Sequence, residues 1–119
     1  MTAEQFRRLV LSFQGAEERA HHHHPDFRVN GKIFATLGYP DETRAMVALT
    51  PEQQAEFLHD YPDVFSPAAG AWGRNGSTSV CLPKAKTAVM QPAVQGAWQK
   101  AVAAAAAANK AKKRKPVTH

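Results

Sequence analysis

The chain has little besides a hydrophobic core to hold it together. Its 119 residues contain one cysteine, Cys81, so no internal disulfide can form and a reducing compartment is expected. No run of about 18 apolar residues is present, which excludes a membrane-spanning helix. The first residues lack a basic segment followed by an apolar stretch, so no secretory signal is expected. These absences predict a single cytoplasmic domain that is stabilised by its own core.

The positive charge is concentrated in the last residues. The net charge is +5, and the segment 110–115 reads Lys-Ala-Lys-Lys-Arg-Lys. Without its five cations, ten Lys and Arg face ten Asp and Glu, so the rest of the chain is formally neutral. We therefore predict a folded domain over residues 1–108 and a basic, disordered tail over residues 109–119. The candidate phosphate contacts in the tail are Lys110, Lys112, Lys113, Arg114 and Lys115. The alternative is a solvated end that aids solubility.

Two helix starts are marked by capping residues. Thr2, with Gln5 three residues later, has the pattern of a capping box, and an apolar stripe at helical spacing follows over residues 6–13. Thr50 and Gln53 repeat the pattern around a proline, which is favoured at the first helical position. The sequence therefore predicts one helix at the N-terminus and a shorter one after residue 50.

A third helix is predicted near the C-terminus, with a break. Val94, Ala97 and Trp98 lie at helical spacing, and residues 103–108 are all alanine, the best helix former. Pro92 lacks the amide hydrogen that a helix interior needs, so we expect it to break or to start this helix. Because alanine buries little surface, the end of the helix is expected to be weakly docked.

Asn30-Gly31 is the strongest strand signal, because a type I′ hairpin turn needs positive φ at both central residues. A two-residue turn at this position pairs Phe27 with Phe34 across two strands. Further strands are predicted over residues 45–49 and 77–82. Hairpin-linked strands predict an α+β fold, in which N- and C-terminal helices pack on a small antiparallel sheet.

The internal run His21–His24 raises the question of a metal site. Neighbouring residues of an extended segment point to opposite sides, so at most two of the four can reach one ion. A zinc site needs about four nitrogen or sulfur ligands, and His59 and Cys81 are distant in sequence. The run is interpreted as a loop leading into the hairpin, with adventitious nickel or zinc affinity. An iron site is not expected, because arginines are intermixed with the N-terminal carboxylates.

Several blocks of the sequence resemble the MmcQ/YjbR family, in the family's order and over roughly residues 4–100. They are His24-Pro25-Asp26-Phe27-Arg28-Val29, Lys32-Ile33-Phe34-Ala35-Thr36-Leu37, Leu49-Thr50-Pro51-Glu52-Gln53-Gln54-Ala55, Gly70-Ala71-Trp72-Gly73-Arg74-Asn75-Gly76 and Ala97-Trp98. The resemblance implies a small α+β fold similar to the frataxin/CyaY-like architecture. It also implies DNA binding through a double-wing motif.

Residues at two predicted turns are suited to contact with DNA. Trp72, Arg74 and Asn75 lie in an Arg-Asn-Gly loop, and Arg and Asn are side chains that read base edges or bind phosphate. Arg28 and Lys32 flank the hairpin turn and are predicted to form a second contact point. The alternative is that both segments are simply good turns and that Trp72 belongs to the core.

No catalytic constellation is recognisable in the sequence. It has no Gly-rich phosphate loop, no Cys–His pair of familiar spacing and no Gly-x-Ser-x-Gly motif. We predict a non-enzymatic protein that binds DNA weakly and largely without specificity, needs no cofactor or metal, and is a monomer or weak oligomer. The alternative is a protein- or small-ligand-binding module that uses the cleft between the hairpin and the Trp72 loop.

Overall fold

The computed structural model describes residues 1–21, 24–38 and 41–114, and it confirms the α+β class. Its elements in chain order are α1 (Ala3–Leu11), β1 (Glu17–His21), β2 (His24–Val29), β3 (Lys32–Leu37), β4 (Arg44–Ala48), α2 (Pro51–Asp60), β5 (Phe65–Pro67), α3 (Gly70–Arg74), β6 (Ser77–Cys81), a 3₁₀ turn (Leu82–Lys84) and α4 (Thr87–Arg114). The strands form one antiparallel six-stranded sheet in the order β1-β2-β3-β4-β6-β5.

The hydrophobic core lies between one face of this sheet and the helices α1 and α4. Phe6 and Val10 are the buried side chains of α1, and the ring of Phe6 meets that of Phe27 edge-on, with 6.4 Å between ring centres. Helix α4 contributes Met90 and Val94, which are completely buried. Because burial of one large apolar side chain stabilises a fold by roughly 1.5–3 kcal/mol, these contacts hold both helices on the sheet.

Both predicted capping boxes are present. The hydroxyl of Thr2 accepts from the backbone amide of Gln5 at 3.1 Å, and the side chain of Gln5 accepts from the amide of Thr2 at 2.8 Å. Thr50 and Gln53 make the same two bonds at the start of α2, at 3.1 and 3.0 Å. These local signals were sufficient to locate both helix starts because each involves residues only three positions apart.

The Asn30-Gly31 turn forms as predicted, with φ of 51° and 81°, but the register beyond it differs. A β-bulge between Phe27 and Arg28 shifts the pairing, so that Phe27 lies opposite Ala35. The predicted pairing of Phe27 with Phe34 is therefore wrong. The bulge allows Phe34 and its neighbour Ala35 both to be buried, which a regular strand with alternating side chains would not permit.

The histidine run connects two paired strands, so its interpretation as a loop leading into the hairpin is corrected. His21 ends β1, His24 begins β2, and the two lie opposite each other in the antiparallel pair. Sequence analysis missed β1 because Glu-Glu-Arg-Ala-His is poor in the β-branched and aromatic residues that mark strands. The other two histidines lie outside the described residues.

Helix α4 is longer and more regular than predicted. It runs unbroken from Thr87 to Arg114, and Pro92 lies inside it instead of breaking it. The lost hydrogen bond is tolerated because apolar side chains just before and after the proline are buried against the sheet. The helix continues past residue 108, so the predicted tail boundary does not coincide with a helix end. Residues 115–119 lie outside the described part of the chain.

One buried amide ties α2 to α3 and β6. The side-chain nitrogen of Gln54 donates to the carbonyl oxygens of Gly73 at 2.9 Å and Ser77 at 3.0 Å. Gly73 packs so closely that a Cβ there would lie 1.9 Å from the carbonyl oxygen of Ala68. These contacts fix the short helix α3 over the first residue of β6, and the close approach requires glycine at position 73.

We expect Gln54→Leu to lower the free energy of unfolding by about 1–3 kcal/mol, because it removes two buried hydrogen bonds, although each carbonyl group keeps one backbone donor. Urea denaturation measures this change. Glu56→Gln, on the exposed side of the same helix, is the matched control and should stay within about 0.5 kcal/mol of the parent. A Gln54→Leu variant as stable as the control would contradict the role given to this amide.

Candidate functional site

The face of the sheet opposite the core carries mostly polar side chains; we call it the open face. Successive residues of a strand point to opposite faces, so residues paired across strands lie on the same side. The register therefore defines a row that crosses all six strands on the open face. From β1 to β5 this row is Arg19, Asp26, Thr36, Met46, Ser79 and Ser66.

Part of the open face forms a groove of about 650 Å³ beside α3, which we call the open-face groove. Its floor contains Met46 and the hydroxyl side chains of the row, and Trp72 lines it from α3. Among the described residues that line it, the one with a charged side chain is Arg44. The groove thus combines one cation, several hydroxyl groups and an aromatic ring, which is suited to an anionic ligand with a flat apolar part.

Arg44 and helix α3, which carries Trp72, lie toward opposite ends of β6. Arg44 lies opposite Cys81, the last residue of β6, whereas α3 leads directly to Ser77, the first residue of β6. The four residue steps between these positions correspond to about 13 Å along the strand. One ligand that contacts both groups must therefore be extended along β6.

Trp72 is exposed, so its interpretation as a core residue is wrong. Its side chain is 74 % exposed, and it lies on the helix α3 instead of in a loop. The contacts of Gly73 and Gln54 fix the backbone that carries the ring. A tryptophan on a fixed backbone offers a ligand a large flat apolar surface at little conformational cost.

Arg44 is half-buried, and in the part of the chain that the structure describes no carboxylate forms an ion pair with it. Arg44 interacts electrostatically with Asp41. Asp41 is engaged elsewhere, since the hydroxyl and the backbone amide of Thr43 donate to it at 2.5 and 2.8 Å and lower its pKa. The guanidinium of Arg44 is therefore available to an anionic group in the groove.

Arg28, predicted to contact DNA, has its charge balanced inside the fold. Its Nε and Nη2 atoms donate to the two carboxylate oxygens of Asp26 at 2.9 and 3.3 Å, and these hydrogen bonds raise the pKa of Arg28. Asp26 is only 4 % exposed, so it depends on this partner for compensation of its charge. The signal in the sequence was the spacing of two, which places both residues on one side of a strand.

Three other predicted contacts lie at one end of the sheet, which we call the turn end. Lys32 is exposed at the start of β3, next to the hairpin turn. The antiparallel pairing places this position near the end of β4 and, through it, near the start of β6. Arg74 and Asn75 are exposed at the end of α3, which immediately precedes β6. The two predicted contact points are therefore separated by only a few strand widths.

Helix α4 points toward the same end of the sheet. It begins after the 3₁₀ turn that follows β6, and the ammonium group of Lys100 donates to the carbonyl of Leu49, just after β4, at 2.9 Å. Burial lowers the pKa of Lys100. From there the helix continues fourteen residues to Arg114, about 21 Å. Its last five residues contain four of the predicted contacts, Lys110, Lys112, Lys113 and Arg114; Lys115 lies outside the described residues.

Residues 1–21, 24–38 and 41–114 contain neither of two other kinds of site. Within these ranges, no group of three or more His, Cys, Asp and Glu residues is placed to hold a metal ion. No helix there is long and apolar enough to cross a membrane. Because His22 and His23 lie outside the described ranges, the metal affinity of the histidine run stays a prediction.

Sequence analysis missed the open-face groove and Arg44. The strand predicted over residues 45–49 begins one residue earlier, and Arg44 and Met46 alternate with buried Ala45 and Val47. This alternation of buried and partly exposed residues indicates a strand with one face in the core and one face open to solvent. The groove itself was not predictable in this way, because it depends on which strands become neighbours.

Comparisons with known proteins agree with this fold. A protein-family model described as YjbR matches residues 11–100. Among solved structures, the Deinococcus radiodurans protein DR2400, described with a DUF419 domain, is similar with a TM-score of 0.65 and 16 % identity. The match covers 82 % of this chain and 75 % of that one. No curated protein matches the chain.

The two tryptophans differ in environment. The indole nitrogen of Trp98 donates to the carbonyl of Gln14 at 2.9 Å, and its ring packs against Phe13 with 5.9 Å between ring centres. Phe13 was predicted to continue the first helix but lies beyond its end at Leu11. Trp98 is half-buried by these contacts, whereas Trp72 is exposed.

We therefore expect Trp72→Phe to remove most of the fluorescence that iodide quenches, and Trp98→Phe to retain it. Iodide is charged and reaches only rings that are open to solvent. Stern–Volmer titration of the two variants measures the difference. Equal quenching constants would contradict the exposed position of Trp72.

Proposed function

This chain belongs to the YjbR family, and we propose that it binds DNA, weakly and largely without sequence preference, through phosphate contacts at the turn end. In this proposal the protein acts by binding alone, without a catalytic step. The observation that carries the proposal is that Lys32 and Arg74 lie at the turn end and that the basic end of α4 extends beyond the same end, about 15–21 Å past Lys100 along the helix.

The distribution of charge supports contact through the turn end. Outside segment 110–115 the chain has equal numbers of basic and acidic residues, so it has no net charge with which to attract DNA. The segment itself adds five cations over six residues. Each phosphate that such cations neutralise releases counterions and contributes about −0.9 to the slope of log K against log salt for duplex DNA. Binding of this kind depends strongly on salt and carries little sequence information.

The individual roles follow from how each side chain is engaged. Arg28 forms an ion pair with Asp26 within β2, so we assign it no direct phosphate contact. Lys32 and Arg74 are exposed, and among the described residues neither forms an ion pair, so both are available to phosphate oxygens. Asn75 is exposed beside Arg74 and supplies a hydrogen-bonding amide at the same place.

Two matched double variants test the location of the contact. Lys112→Gln with Lys113→Gln removes two charges from the basic end of α4. We expect the slope of log K against log salt for duplex DNA to become less negative by about 2. Lys84→Gln with Lys86→Gln removes two exposed charges near the opposite end, and the slope should change much less. Fluorescence anisotropy with a labelled duplex at several salt concentrations measures both slopes.

Equal effects of the two double variants would contradict binding at the turn end, because DNA affinity would then depend on the net charge alone. Absence of duplex binding at low salt would overturn the DNA proposal altogether. Arg74→Gln should lower the slope by about 1, as expected for one phosphate contact. If it abolished binding while the basic end of α4 was intact, α3 would be the principal contact instead.

A further inference from the structure

Phosphate contacts do not account for Trp72. Phosphate oxygens are bound by cations and by hydrogen-bond donors, and the broad face of an indole ring provides neither. This ring nevertheless stands exposed on a fixed backbone beside the open-face groove. A flat aromatic surface of this kind is what an unpaired base stacks on, because every base has an apolar π face.

We propose that the open-face groove binds a stretch of single-stranded nucleic acid, with one unpaired base stacked on Trp72 and a phosphate held by Arg44. This inference rests on the proposed function and names the form of nucleic acid that the chain prefers. It adds a second contact region to the turn end, on a different surface of the same protein.

Duplex DNA cannot make the stacking contact. In a duplex both faces of each base are covered by neighbouring base pairs, and extruding a base costs a few kcal/mol of unstacking and unpairing. A single strand exposes these faces at much lower cost. The groove therefore discriminates between the two forms through Trp72, whereas cations alone bind both.

The groove is chemically and geometrically suited to a strand that lies along β6. Arg44 lies beside the last residue of β6, about 13 Å along that strand from its first residue, to which α3 leads, so one group binds phosphate while the other stacks a base. Between them, the hydroxyl groups of Thr36, Ser66 and Ser79 offer donors and acceptors to sugar and phosphate oxygens. Beyond Trp72, the same strand path leads to the turn end, where the basic end of α4 lies.

The stacking platform is formed before a ligand arrives. The close approach of Gly73 to Ala68 and the two hydrogen bonds of Gln54 hold α3, so a ligand does not have to order the helix that carries Trp72. Preorganisation of this kind lowers the entropic cost of binding.

A peptide is a less suitable occupant of the groove. Extended peptides bind commonly by adding a strand to a free sheet edge. The groove lies over β3, β4, β6 and β5, and each neighbouring pair of these strands is already hydrogen-bonded. The sheet edge in this region is the outer side of β5, which is only three residues long and ends in Pro67, a residue without an amide hydrogen. A peptide backbone therefore finds few groups to pair with there, whereas a nucleic acid needs only side chains and a ring.

The test compares one labelled single strand of about twelve nucleotides with the duplex of the same sequence, by anisotropy at one salt concentration on the full chain. Base–aromatic stacking corresponds to a change of about 5- to 150-fold in affinity. We therefore expect Trp72→Ala to weaken single-strand binding by about tenfold, and Trp72→Phe to weaken it less. Arg44→Gln should also weaken single-strand binding. Each variant should change duplex binding less than twofold.

Ile33→Ser is the matched control. Ile33 is 43 % exposed on the open face, opposite Arg28 and outside the groove lining, so its loss should change neither affinity. A Trp98→Phe chain, in which Trp72 is the remaining tryptophan, gives a direct readout. Addition of the single strand should quench its emission, and addition of the duplex should not.

The inference is overturned if Trp72→Ala weakens both forms equally or leaves single-strand binding unchanged. It is also overturned if the single strand does not quench Trp72, an outcome that would favour a protein segment or another ligand in the groove. Failure of the proposed function is distinguishable, because the chain would then bind neither form at low salt. Salt-dependent duplex binding without a single-strand preference would remove only this inference.

Discussion

The fold depends on the packing of helices against only one face of the sheet. Helices α1 and α4 bury the face that carries Phe27, Val47 and Val80, and this packing supplies most of the apolar burial in the chain. The opposite face then has to be stable in contact with water, which explains the arginines and hydroxyl groups along it. The same constraint leaves room for a groove, because no long helix among the described residues covers that side.

Much of the fold was predictable because its determinants are local. Capping boxes at Thr2 and Thr50 and the turn at Asn30-Gly31 each involve a few adjacent residues, and the structure contains all three. The α+β class followed from the order of these elements. The bulge between Phe27 and Arg28 was not predictable, because it is favoured by the simultaneous burial of Phe34 and Ala35 against helices distant in sequence.

The candidate site was predictable only in part for the same reason. The basic residues near the C-terminus and the Arg-Asn pair at positions 74 and 75 are readable as binding residues from their types. Their common location at the turn end depends on the antiparallel register and on the direction of α4. The sequence pattern did not distinguish an Arg28 that is paired with Asp26 from one that is free to bind DNA. It also did not distinguish an exposed Trp72 from a buried one, because the environment of this ring depends on tertiary contacts.

A five-residue helix such as α3 is not stable in isolation, since helix nucleation is unfavourable and the few hydrogen bonds formed do not offset it. Its conformation is therefore imposed by Gln54 and by the contact of Gly73 with Ala68. The consequence is that the position of Trp72 is coupled to the packing of α2. A change in α2 that leaves the core intact is then transmitted to the open-face groove.

The alanine run of α4 has a thermodynamic consequence. Ala105 is the last residue of the helix that is buried among the described side chains, and residues 106–108 are exposed. Over the exposed residues 106–108 the helical state depends mainly on intrinsic propensity, which weakens with rising temperature. Closely spaced like charges near its end oppose this state, and a polyanion that neutralises them favours it. Ordering of the last turns and association with an anion are therefore linked equilibria, so the heat and entropy of binding include a helix–coil contribution that depends on temperature.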